Sequence, residues 1–126
     1  MRLYIMPTFN DYREFTKRKA AQFTNKPTTL ELQNLPKKAA YKVVARNYRN
    51  EFVPHDKSKP VTVTKHGVIL DRNYYNENKN NPQEIKQAII HELAHQAAGH
   101  AVHNEGFRKT AKSMGADSNH QKPYWQ

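Results

Sequence analysis

The segment His91-Glu92-Leu93-Ala94-His95 holds the side chains of this chain best suited to chemistry. Two histidines spaced i and i+4 on a helix project from one face, close enough to share a metal ion. The carboxylate beside the first of them stands where a group acts on a metal-activated water without being a ligand itself. A catalytic zinc ion takes three protein ligands and keeps one position open for water. His91 and His95 supply two, and four candidates for the third follow closely: His100, His103, Glu105 and Asp117. His103 fits best, because the first helix is expected to stop at Gly99 and His103 directly precedes another expected helix. His100, next to Gly99, is expected to face solvent or a neighbouring carbonyl. Glu92 would take the proton of a water attacking an amide carbonyl and pass it to the leaving amine. Tyr74, Tyr75 and Tyr124 are conceivable donors to the carbonyl oxygen, and nothing in the sequence selects among them.

The elements that must position these groups carry uneven signals. Asn81-Pro82-Gln83-Glu84 is a strong helix start, with an Asn cap, Pro at the first position and Glu three residues after the cap. The helix then places Ile85, Ala88, Ile89, Leu93 and Ala97 on one apolar stripe and ends at Gly99. Asn104-Glu105 can cap a last helix carrying Phe107, Ala111 and Met114 and ended by Gly115. Upstream, Asn10-Asp11 caps an expected helix to about Asn25, with Phe15 and Phe23 inward. Pro36 suits the start of a second, where Ala40, Val43, Val44 and Tyr48 keep helical spacing, although alternating Tyr41, Val43 and Ala45 would suit a strand. Residues 51–60 read as a loop. Val61–Thr64 and Gly67–Leu70 suggest a hairpin turning at Lys65-His66-Gly67. Asn73 to Asn81 reads as a polar connection. His55, His66 and His120 are expected to be structural or solvent-exposed.

A chain of 126 residues fits one domain with a real core. The absence of cysteine excludes a disulfide framework, a thiolate zinc site and a cysteine nucleophile. The stretch Met1–Pro7 is too short and too quickly polar for a signal peptide, and no apolar run approaches membrane-spanning length. A soluble, cytoplasmic protein is expected. The net charge of +10 is uneven: residues 1–50 hold eleven Lys/Arg against three Asp/Glu, and residues 51–126 hold ten against eight. A basic half attracts nucleic acid or another polyanion, or forms a solvated face that keeps the protein soluble. No nucleic-acid-binding motif accompanies the charge.

The run Gly67-Val68-Ile69-Leu70-Asp71, a polar linker, and Pro82-Gln83-Glu84-Ile85 through His91-Glu92-Leu93-Ala94-His95 together resemble the core of the SprT-like (Spartan-type) zinc metallopeptidases. In that family the third ligand is a histidine about four residues before an aromatic, here matched by His103 and Phe107. The resemblance covers roughly residues 67–115. It implies a compact single-domain α+β, zincin-like fold, one zinc ion held by His91, His95 and His103, and Glu92 as general base. A protein or peptide substrate follows. Members that act on DNA-bound proteins would suit the basic N-terminal half, through which DNA could be met. The family histidine is usually followed by Gly, whereas Asn104 follows here, and this sequence has no cysteines for the zinc ribbon many members carry. The metzincin pattern is excluded, because Ala98 and Ala101 stand where it needs Gly and His. One domain over 1–126 is expected, with a basic helical part to about 50, a catalytic core over about 61–115 and an irregular tail. The alternative is a non-catalytic regulator on the same scaffold that binds nucleic acid or protein. A single His-rich site without a carboxylate cluster argues against two-metal nuclease chemistry.

Overall fold

β5, Thr62–Asp71, is the element on which the rest is built, and its side chains alternate between two different surroundings. His66, Val68 and Leu70 face the helices, where Val68 and Leu70 are fully buried. β1 (Thr28–Gln33) pairs parallel to it, from Thr28 opposite His66 to Gln33 opposite Asp71. β4 (Ala45–Phe52) pairs antiparallel on the other side, with a bulge at Asn50–Glu51. The sheet order is therefore β1-β5-β4, and β2 (Lys37–Lys38) and β3 (Tyr41–Lys42) form a separate short ladder. The helices are α1 (Phe9–Ala20), α2 (Arg72–Asn78), α3 (Pro82–Ala98) and α4 (Glu105–Ser113). The computed structural model describes residues 6–38, 41–42, 44–99 and 104–116, with the backbone alone at 37, 38, 41 and 42. The result is the expected small single-domain α+β fold, four helices on a three-stranded mixed sheet.

Local chemistry accounts for the helix ends. Thr8 and Asp11 form a reciprocal capping box at α1, so the helix starts slightly earlier than the Asn10-Asp11 reading and stops at Ala20. Asn81 caps α3 by accepting from the Glu84 N–H, Pro82 opens the helix, and Gly99 closes it at φ 77°, donating its N–H to the His95 carbonyl. Asn104 caps α4 by accepting from the Phe107 N–H at 2.9 Å, and Gly115 follows it at φ 102°. The expected α3 and α4 are thus present with the expected boundaries. Their apolar stripes meet Tyr12, Leu30, Val68 and Leu70 in one core, in which Ile85, Ile89, Leu93 and Phe107 are fully buried.

Three expectations fail. The helix from Pro36 to Tyr48 is absent: Ala45 to Tyr48 belong to β4, so the basic N-terminal half is one helix followed by strands. Tertiary pairing with β5 decides the matter over helical spacing. The hairpin turn at Lys65-His66-Gly67 is also absent, since those residues lie inside continuous β5 and the real connection is 53–61. Gly67 is there for space: a Cβ would collide with the Tyr48 ring lying across it. Finally, the polar connection after Asp71 contains α2, capped by the Asp71 carboxylate.

Candidate metal and hydrolytic site

The C-terminal half of α3 keeps Leu93 and Ala94 in the core and turns Glu92, His95 and Gln96 toward β4, while His91 packs against Phe107 of α4. Between the two elements lies a cleft of about 430 Å3 lined by Asn47, Tyr48, Arg49, Glu92, His95 and Gln96, among others. The two imidazoles stand edge to face, ring centres 4.9 Å apart. Phe107 of α4 packs against both, stacked on His95 at 4.2 Å and edge-on to His91 at 5.2 Å. One buried aromatic ring therefore limits the rotation of both rings, which is how a packed neighbour preorganises a ligand pair.

Glu92 is only 6% exposed. Its Oε1 accepts from Asn47 Nδ2 at 3.2 Å, and among the described residues no donor reaches Oε2. Burial pushes the carboxyl up to about 7, with the Asn47 hydrogen bond pulling the other way. A carboxyl poised near neutrality can both accept and return a proton. The next turn of α3 is tied to the sheet by Gln96. Its Nε2 donates to the Tyr48 carbonyl at 2.7 Å, and its Oε1 meets His66 Nδ1 at 3.1 Å. His66 also packs edge-on against Phe23, so it is a structural histidine inside a strand rather than a turn residue.

Of the expected site residues, His91, Glu92 and His95 come together. His103, His100, Asp117, Tyr124 and His120 lie outside the described residues. Glu105 does not join the pair: it is largely exposed and meets Lys109 at 3.8 Å. Among the described residues no three His, Asp or Glu side chains form a cluster able to hold a metal. Two adjacent histidines with a buried carboxyl beside them are nevertheless a donor set that fits two of the three protein positions on a zinc ion. Tyr75 packs in the core against Phe9 and Tyr12, and the Tyr74 hydroxyl donates to Glu84 at 2.7 Å, so neither lines the cleft. Sequence reasoning missed Asn47 and Gln96. The alternation Ala45-Asn47-Arg49 was the available signal for Asn47, had 45–52 been taken as a strand.

No helix among the described residues is long and apolar enough to cross a membrane. No protein-family model, curated protein or solved structure matches the chain. The class that fold and site define is a small α+β domain whose helix α3 carries a packed histidine pair and presents His95 and the buried Glu92 to a cleft beside an edge strand.

Proposed function

We propose that the protein is a zinc-dependent peptidase, with His91, His95 and His103 as ligands and Glu92 as general base. One observation carries this reading: on a single helix, His95 and the buried Glu92 line the same open cleft, and His91 packs edge to face against His95. A zinc ion bound there would lower the pKa of a water and polarise the scissile carbonyl. Glu92 takes the proton of the attacking water and delivers it to the departing amine. Asn47 holds one oxygen of that carboxyl, which leaves the other for the water. Burial around Glu92 keeps competing solvent away and strengthens each polar contact. β4 is an edge strand beside the cleft, so an extended peptide can pair along it as an added strand. Support for His103 comes from α4, which begins two residues later and lays Phe107 on His95.

The test is zinc per chain in protein purified without a histidine tag, beside His91→Ala and His103→Ala. The expected result is about one zinc ion, lost or greatly weakened in both variants. No zinc uptake by the wild type sinks the reading. Zinc kept in His103→Ala moves the third ligand elsewhere.

A further inference from the structure

Asn47 stands 45 residues before Glu92 in the chain, yet its side chain is the group that holds the Glu92 carboxyl. Its main chain has a second task, fixed by the register of the sheet. The Asp71 N–H donates to the Val44 carbonyl at 2.8 Å, which sets the phase of the β4–β5 ladder. Counting along that ladder, residues 44, 46 and 48 turn their main-chain groups toward β5. Ala45, Asn47 and Arg49 turn theirs outward, to the side where β5 is not. Tyr48 between them is held twice over, by its ring across Gly67 and by Gln96 on its carbonyl. Among the described residues, the segment around Asn47 is therefore anchored on one side and has no strand paired on the other.

We infer that Asn47 is a positioning residue that couples substrate to the general base. It meets an extended peptide with its outward main chain and orients Glu92 with its side-chain amide. This rests on the peptidase reading above. A peptide pairing with the Asn47 N–H and carbonyl stops the strand from shifting, and the Nδ2 contact transmits that order to Glu92 Oε1. Oε2 stays turned to the water. Longer peptides, which pair further along β4, should thus raise turnover and not affinity alone.

The experiment begins with zinc-loaded protein and a peptide library prepared by digesting a bacterial lysate, with cleavage read by mass spectrometry. Nested lengths of one cleaved peptide are then compared in wild type, Asn47→Ala and Asn47→Asp. The last keeps the shape but removes the donor. Expected is a fall in kcat of about 10- to 100-fold in both variants, with KM changed less than about threefold. Zinc content and melting temperature should stay as in the wild type. In the wild type kcat should rise with peptide length, and in the variants it should not. A readout independent of turnover is the Asn47 side-chain amide resonance in zinc-loaded protein, expected to shift on Glu92→Gln and again on adding the peptide to that variant. An unchanged kcat, a loss confined to KM, or an amide resonance indifferent to Glu92→Gln overturns the coupling alone. Wild-type protein that binds zinc and cleaves nothing overturns both the coupling and the peptidase reading.

Discussion

Asp71 and Glu92 are equally buried, each 6% exposed, and they are used in opposite ways. At the end of β5, both oxygens of Asp71 are occupied by main-chain donors: Leu35 N–H at 2.9 Å and Tyr74 N–H at 3.1 Å. That carboxylate joins the end of the sheet to the start of α2 and fixes the segment before β2. On α3, Glu92 has one amide donor on one oxygen, and burial drives its carboxyl toward neutrality. The contrast teaches what burial alone does not. A buried acid whose lone pairs are filled by backbone N–H groups belongs to the architecture. One left short of donors beside two histidines is costly to the fold unless a ligand or a reaction uses it.

Substitutions that separate stability from chemistry sharpen this contrast or break it. The largest effect is expected from Glu92→Gln: cleavage falls by about 100- to 10 000-fold while zinc is retained. Its melting temperature should hold or rise, because the amide is cheaper to bury than a carboxylate. A binder that merely borrows the scaffold would keep its affinity in this variant. Asp71→Ala should do the reverse. It strands two buried N–H donors and removes the α2 cap, for a loss of about 2–4 kcal/mol in denaturant unfolding. At temperatures where the variant is folded, its zinc content and turnover should match the wild type. If Asp71→Ala lowered turnover without lowering stability, the division of labour would be wrong. Smallest is Gln96→Ala, about 1 kcal/mol, since it frees the end of α3 from Tyr48 and His66. Turnover should drop only a few-fold there, a comparison with Asp71→Ala made in one titration series.

What was legible in the sequence follows the range of the interactions involved. α3 and α4 are specified by residues within four positions of their ends: Asn81, Pro82, Glu84 and Gly99 for one, Asn104 for the other. His91, Glu92 and His95 therefore lie on one helix as expected, because helix geometry alone sets their relation. The strands depend on partners far away in the chain. Ala45 to Tyr48 are extended because Leu70 to Gly67 lie opposite; locally, the alternation of Tyr41, Val43 and Ala45 competed with helical spacing and did not decide between them. Gly67 looked like a turn residue because glycine serves both purposes; only the Tyr48 ring reveals which one applies. Asn47 entered the site by the same long-range pairing, and so no motif announced it. The role of Asp71 as a helix cap required knowing that α2 follows at once, where the sequence suggested only a polar connection.

An edge that can accept a peptide can also accept another copy of itself. β4 would offer its outward main-chain groups to any extended segment, and open edges of this kind invite fibrous self-association. Two features of the strand oppose that outcome. Arg46 is exposed along it, whereas Arg49 is paired with Glu51 at 2.7 Å, so two copies approaching edge to edge bring the Arg46 charges together. The bulge at Asn50–Glu51 breaks the regular register just where a long ladder would begin. Both features oppose endless stacking along the edge, which makes colloidal behaviour a constraint on the composition of β4 whatever the strand meets.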